Sequence, residues 1–196
     1  MFLPASLLLA GFGLPVLVHA QVETWQLDPA HSAAQFSVRH MGISTVRGAF
    51  TKLKGTLQYD PADLSKSSLD VTIDTTSIDT RVDMRDNDLR SDHFLDVQKF
   101  PAMTFKSKHV ESAGAGGLKV TGDLTLHGVT KEVVLDVEGP SKSIKDPKGN
   151  MHMGAAASTK INRSDFGVSG APTMVGDELL ITLDVEFVKP SSQPGK

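Results

Sequence analysis

The sequence predicts an all-β protein, an eight-stranded antiparallel barrel with a short helical insertion around residues 80–96. Three observations predict this fold. Apolar and polar residues alternate along most of the chain, turn residues separate the alternating segments, and about eight such segments follow one another. Since eight antiparallel strands can close into a barrel without exposed edges, we expect a closed sheet.

The composition is that of an ordinary globular domain and excludes several classes of protein. The 196 residues include 20 Lys and Arg and 23 Asp and Glu, which gives a formal net charge of −3 and no basic run suited to a phosphate backbone. We therefore expect no nucleic-acid partner. The absence of cysteine excludes disulfides, thiolate metal sites and cysteine nucleophiles.

Residues 1–20 have the composition of a cleavable secretory signal peptide. They contain no charged side chain and end in Val18-His19-Ala20, which places small residues where a signal peptidase cuts. Cleavage before Gln21 leaves a single soluble domain over residues 21–190, followed by a flexible tail at 191–196. The alternative is an uncleaved membrane anchor, which the prolines within the segment disfavour.

Alternation with a period of two defines the strands in order along the chain. The first directs Ala34, Phe36 and Val38 to one face, and a second spans roughly residues 47–59. The later strands carry apolar residues at alternate positions, namely Leu69, Val71 and Ile73; Met103 and Phe105; Leu118, Val120, Leu124 and Leu126; Val133, Leu135 and Val137; Met151, Met153, Ala155, Ala157 and Ile161; and Leu179, Ile181, Leu183, Val185 and Phe187. Turn residues such as Asp60-Pro61 and the glycine-rich segment 114–117 separate these strands, so most neighbours should pair antiparallel.

The alternation fails only between Ser77 and Lys99. In this segment Met84, Leu89 and Phe94 stand among Asp and Arg residues at spacings that a short helix uses. This segment is the predicted helical insertion.

The interior of an eight-stranded barrel is just wide enough to be filled by side chains or to hold one small ligand. Small residues at inward positions, namely Gly122, Ala155, Ala157 and Thr159, favour a cavity, as does the low aromatic content of 6%. A barrel filled by its own side chains is the alternative.

Several motifs occur in a fixed order along nearly the whole chain after residue 20. They include Trp25-x-Leu27-Asp28-x-x-His31-Ser32, Arg85-Asp86-x-x-Leu89-Arg90-Ser91-x-x-Phe94-Leu95-Asp96, Gly122-Asp123-Leu124-Thr125-Leu126-x-Gly128-Val129-Thr130-Lys131 and Arg163-x-Asp165-Phe166-Gly167. In this order they resemble the YceI-like family of polyisoprenoid-binding periplasmic proteins. Asp88 is a departure, because members often have His at that position.

The resemblance implies a lipocalin-like barrel whose apolar interior binds a long isoprenoid, a quinone-like molecule or another amphiphilic lipid, in a periplasmic carrier that requires no other cofactor. The predicted cavity residues are Phe36, Val38, Phe50, Val71, Ile73, Leu89, Phe94, Phe105, Leu124, Leu135, Met153, Ala155, Ala157, Ile161, Phe166, Ile181 and Leu183. Polar candidates at the mouth of the barrel are Arg85, Asp86, Arg90, Arg163 and Asp165. The alternative for these five is a structural role, tying the helix and loops to the rim.

No catalytic or metal-binding constellation is evident in the sequence. The histidines show no His-x-x-x-His spacing, and no Gly-x-Ser-x-Gly motif is present. We therefore expect a non-enzyme; the alternative is an acid–base enzyme that acts on a lipid-like substrate through Asp86, His31 or Asp165. The sequence leaves open whether the chain contacts the inner membrane transiently and whether it forms a homodimer.

Overall fold

The structure, a computed structural model, describes residues 21–191. The predicted signal peptide at residues 1–20 and all but the first residue of the predicted tail lie outside the described residues. Within residues 21–191, no helix combines the length and the hydropathy needed to span a bilayer.

Twelve strands and one α-helix make up this part of the chain. The strands are β1 (Glu23–Leu27), β2 (Ala33–His40), β3 (Ser44–Phe50), β4 (Leu53–Tyr59), β5 (Ser68–Asp74), β6 (Ile78–Asp79), β7 (Ala102–Gly114), β8 (Gly117–Leu126), β9 (Val129–Glu138), β10 (Ile144–Lys145), β11 (Met151–Asn162) and β12 (Val175–Lys189). The helix α1 spans Asp83–Arg90, and three short 3-10 turns span Leu64–Lys66, Thr75–Ser77 and Arg163–Phe166.

The sheet closes into the predicted barrel. Antiparallel pairing runs through β11, β9, β8, β7, β5, β4, β1 and β12, and β12 pairs with β11 along its length to complete the ring of eight. The hairpin of β2 and β3 extends this wall. The carboxyl end of β12 pairs with β1, and the preceding part of β12 pairs with β2. The predicted fold class is confirmed.

Two strand predictions are wrong in detail. The segment around residues 47–59 is not one strand but two, since the chain bends at Thr51 and Lys52, whose backbone amides donate to Ser77 instead of to a neighbouring strand. The strand β1 lies before the first predicted strand. Its Trp25 pairs with Leu57 of β4 and is 2% exposed, so this short strand supplies a central core residue.

The helical insertion closes one end of the barrel, which we call the helical end. Here α1 is followed by turns, and Phe94 and Leu95 pack against Ile78, Phe166 and Val168 in a buried cluster. The predicted insertion at 80–96 is therefore confirmed, with the helix itself limited to eight residues.

Candidate functional site in the barrel interior

The barrel encloses a cavity of about 260 Å³. Its lining residues come mainly from alternate positions of the strands, as expected when successive side chains point to opposite faces of a sheet. Most of the side chains that line the cavity are apolar. The predicted cavity is therefore present, and its wall is mainly apolar, with a few polar side chains such as Tyr59 and Arg163 bordering it.

All but two of the predicted apolar residues line this cavity. Those that do are Phe36, Val38, Phe50, Val71, Ile73, Leu89, Phe94, Phe105, Leu124, Leu135, Ala155, Ala157, Ile161, Ile181 and Leu183. Met153 does not, because it is 4% exposed and packs with Trp25 and Leu27 in a buried cluster. Phe166 is buried in the cluster that seals the helical end.

The small inward residues have different roles. Ala155, Ala157 and Thr159 of β11 line the cavity, so their missing bulk leaves space. Gly122 of β8 does not, because the ring of Phe105 covers it and would lie 2.6 Å from a Cβ atom at this position. The space above Gly122 is filled by an aromatic ring.

The three polar candidates on the helical insertion, Arg85, Asp86 and Arg90, form hydrogen bonds with the chain segment just before the helix. The buried carboxylate of Asp86 accepts hydrogen bonds from the backbone amide and the hydroxyl of Thr80, and the Arg85 Nε atom donates to that hydroxyl at 2.8 Å. Arg90 donates to the carbonyl oxygens of Thr76 at 2.8 Å and Ile78 at 2.6 Å. These contacts attach α1 to the segment that precedes it and correspond to the structural alternative.

The other two polar candidates are separated by the turn that carries them. Arg163 is 5% exposed and donates to the carbonyl oxygens of Val168, Gly170, Val175 and Gly176 at 2.8 to 2.9 Å. It borders the cavity, and burial lowers the pKa of its guanidinium. Asp165 is exposed on the outer surface. The structure therefore does not bring the five polar candidates together into a headgroup site.

Sequence reasoning missed Tyr59, which lines the cavity at the end opposite the helical end. Its hydroxyl has no hydrogen-bond partner among the described residues, and partial burial raises its pKa. Ser67 and Pro140 line the cavity at the same end. The signal was available, since Tyr59 continues the period-two positions of Leu53 and Leu57.

Comparison with known proteins places the chain among relatives of similar length. The family profile described as the YceI-like domain matches residues 25–187. A UPF0312 protein from Vibrio cholerae is 38% identical over 174 residues, which cover 88% of this chain and 92% of that protein. A UPF0312 protein from Shewanella denitrificans is 38% identical over 185 residues, 94% of this chain and 96% of the relative.

Solved structures show the same architecture. BcnA from Burkholderia cenocepacia is 25% identical with a TM-score of 0.72, covering 82% of this chain and 98% of that one. The YCEI protein of Campylobacter jejuni is 35% identical with a TM-score of 0.69, covering 78% and 90%. A polyisoprenoid binding domain from Saccharophagus degradans, at 16% identity and a TM-score of 0.62, covers 87% and 100% and shares the fold. With the profile matched across the whole barrel, the chain belongs to the YceI-like domain family.

Proposed function

We propose that this protein binds a lipid with a long hydrocarbon chain, of the polyisoprenoid class, inside the barrel and carries it through the periplasm. The observation that carries the proposal is the cavity, which is surrounded by a closed sheet and lined mainly by apolar side chains. The domain from Saccharophagus degradans, described as polyisoprenoid binding, has the same fold.

The apolar lining of the cavity favours a hydrocarbon ligand. Each CH₂ group transferred from water into such a cavity contributes about 0.8 kcal/mol, so a five-carbon unit adds several kcal/mol before its loss of freedom is subtracted. A hydroxyl or carbonyl buried against the same wall would lack a partner and cost about 1–3 kcal/mol. The buried part of the ligand is therefore plain hydrocarbon, and any headgroup stays outside the apolar region.

The ligand enters from the end that carries Tyr59. The helical end is sealed by Phe94, Phe166 and Val168, all less than 9% exposed. At the opposite end, Tyr59 and Pro140 are only half-buried. A headgroup placed there meets the free phenol of Tyr59, which can donate one hydrogen bond.

A carrier accounts for the described residues better than the acid–base enzyme does. Asp86 is held by Thr80, His31 lies outside the barrel, and Asp165 is exposed. None of these three residues lines the cavity. The periplasmic location rests on the signal-peptide composition of residues 1–20.

The test is to fill the cavity and measure retained lipid. Ala157 lines the cavity between Val137 and Leu183, whereas Ala156 beside it faces outward between Glu138 and Asp184. Ala157→Trp should abolish the lipid that mass spectrometry finds in organic extracts of the purified protein, and Ala156→Trp should retain it.

Thermal melts of both variants separate a cavity from a filled core. If the barrel is already full, Ala157→Trp overpacks it at a cost of roughly 1–3 kcal/mol. A marked loss of stability, together with no lipid in extracts of the unmodified protein, would overturn the proposal.

A further inference from the structure

A cluster of two histidines and three carboxylates lies on the outer wall of the barrel, away from the cavity. Asp28 and His31 belong to the segment between β1 and β2, His152 to β11, and Glu186 to β12. Asp146 lies in the turn between β10 and β11. Asp28-x-x-His31 is one of the motifs noted in the sequence, yet neither residue lines the cavity.

The potential ligand atoms are close together. The His31 Nδ1 atom is 2.8 Å from Asp28 Oδ2, and the His152 Nδ1 atom is 2.7 Å from Glu186 Oε1. One ligand atom each from Asp28, His31 and Glu186 lies within 4.8 Å of the other two. Zn²⁺ binds such nitrogen and oxygen atoms at about 2.0–2.2 Å, and His152 adjoins the group through Glu186.

Asp146 contacts His152 on the side of the ring away from Glu186. Its Oδ2 atom is 3.2 Å from His152 Nε2, on the ring nitrogen opposite the one that faces Glu186. Its Oδ1 atom accepts hydrogen bonds from the backbone amides of Lys148 and Asn150 at 2.8 and 2.9 Å, which fix the carboxylate in place. Metal-binding histidines in proteins are oriented in this manner, with the second ring nitrogen bound to a carboxylate.

The three carboxylates of the cluster also have no Lys or Arg partner in the part of the chain that the structure describes. Among residues 21–191, no Lys or Arg lies within 4.0 Å of the carboxylates of Asp28, Asp146 or Glu186; their ion-pair partners are the two imidazoles. A divalent cation bound here would therefore face three carboxylates that no Lys or Arg of the described residues neutralises.

We propose that Asp28, His31, His152 and Glu186 form a binding site for a divalent transition metal ion of the Zn²⁺ class, with Asp146 orienting His152. Two imidazoles and two carboxylates are the donors that suit Zn²⁺, whereas Ca²⁺ takes six to eight oxygen ligands. The bound ion joins the β1–β2 segment to β11 and β12 and so stabilises the wall of the barrel. The site is independent of the lipid cavity.

Isothermal titration of the chelator-treated protein with ZnCl₂ tests the site. We expect one ion per chain, binding at least 10-fold weaker in His31→Ala and in His152→Ala, and roughly 10-fold weaker in Asp146→Asn. His109→Ala is the matched control, because His109 is also an exposed histidine beside a carboxylate, that of Glu111 at 3.4 Å, but belongs to no such cluster. It should bind as the unmodified protein does.

Three results would overturn the proposal. They are the absence of saturable 1:1 binding, unchanged affinity in both His31→Ala and His152→Ala, and equal binding of CaCl₂, which would indicate a carboxylate site only. Since His31 is 66% exposed, its substitution should leave the fold intact, and a thermal melt without metal checks this.

Discussion

Replacing Arg163 should destabilise the barrel and leave the lipid-binding cavity in place. Its guanidinium donates four hydrogen bonds to carbonyl oxygens, which join the turn at the end of β11 to the following loop and to the first residues of β12. In Arg163→Ala these four acceptors lose their donor. At a net contribution of about 1 kcal/mol for each bond, the free energy of unfolding should fall by about 4 kcal/mol.

This loss is a large part of the roughly 5–15 kcal/mol that stabilises a domain, so the variant should remain folded at 25 °C but unfold at lower urea concentration. Urea titration followed by circular dichroism measures the difference. Arg163→Lys is the graded comparison, because an ammonium group cannot reach all four carbonyl oxygens at once and should recover only part of the loss.

The same variants decide between the two roles considered for Arg163. If Arg163 has a structural role, Arg163→Ala should lose much of its stability but still retain lipid at urea concentrations where it remains folded. If Arg163→Ala changes the free energy of unfolding by less than about 1 kcal/mol and weakens lipid binding 10-fold, the guanidinium acts on the ligand and the reasoning fails.

Three further substitutions test other contacts. Asp86→Ala leaves the amide and hydroxyl of Thr80 without their acceptor and should lower the free energy of unfolding by about 2 kcal/mol; a loss of lipid without destabilisation would instead put Asp86 at the ligand. Hydrogen bonds from Ser164 lower the pKa of Asp177 below 3.8, so its contribution to stability is present above that pH and is lost as the pH falls through the lowered value. Melts of Asp177→Asn and the unmodified protein should therefore differ at pH 7 and converge once the pH has fallen below the lowered pKa, and a constant difference would contradict this. Gly122→Ala places a methyl group 2.5 Å from the Lys106 carbonyl oxygen and 2.6 Å from the ring of Phe105 and should cost roughly 1–3 kcal/mol. Gly154→Ala, whose Cβ atom would lie 3.5 Å from its nearest neighbour, should have little effect on the melting temperature.

The sequence by itself determined the strands and the face of each that is buried. Alternation is a local property, because the backbone of a strand sends successive side chains to opposite faces whatever its neighbours are. For this reason Phe36, Ala157 and Ile181 could be assigned to the interior before the partners of their strands were known. The helical insertion was equally local, since the alternation stops near Ser77 and resumes after Lys99.

Tertiary structure decided what the polar residues contact. Arg85 and Arg163 have the same charge and stand in similar motifs, and only the fold shows that their guanidinium groups donate to hydroxyl and carbonyl groups of their own chain. The filling of space is also decided by the fold. Gly122 and Ala157 are both small inward residues, but a ring from the neighbouring strand β7 covers the first, and the cavity adjoins the second.

The cluster around Asp28 and His31 also depends on tertiary structure that the sequence does not reveal. Asp28 and His31 are near in sequence to each other, but Glu186 is more than 150 residues away and reaches them because β12 pairs beside β1. A metal site within one helix leaves a fixed spacing in the sequence, whereas a site built from the β1–β2 segment, β11 and β12 leaves none. Local alternation therefore fixed which side chains face inward, and only the closure of the barrel fixed which distant side chains meet.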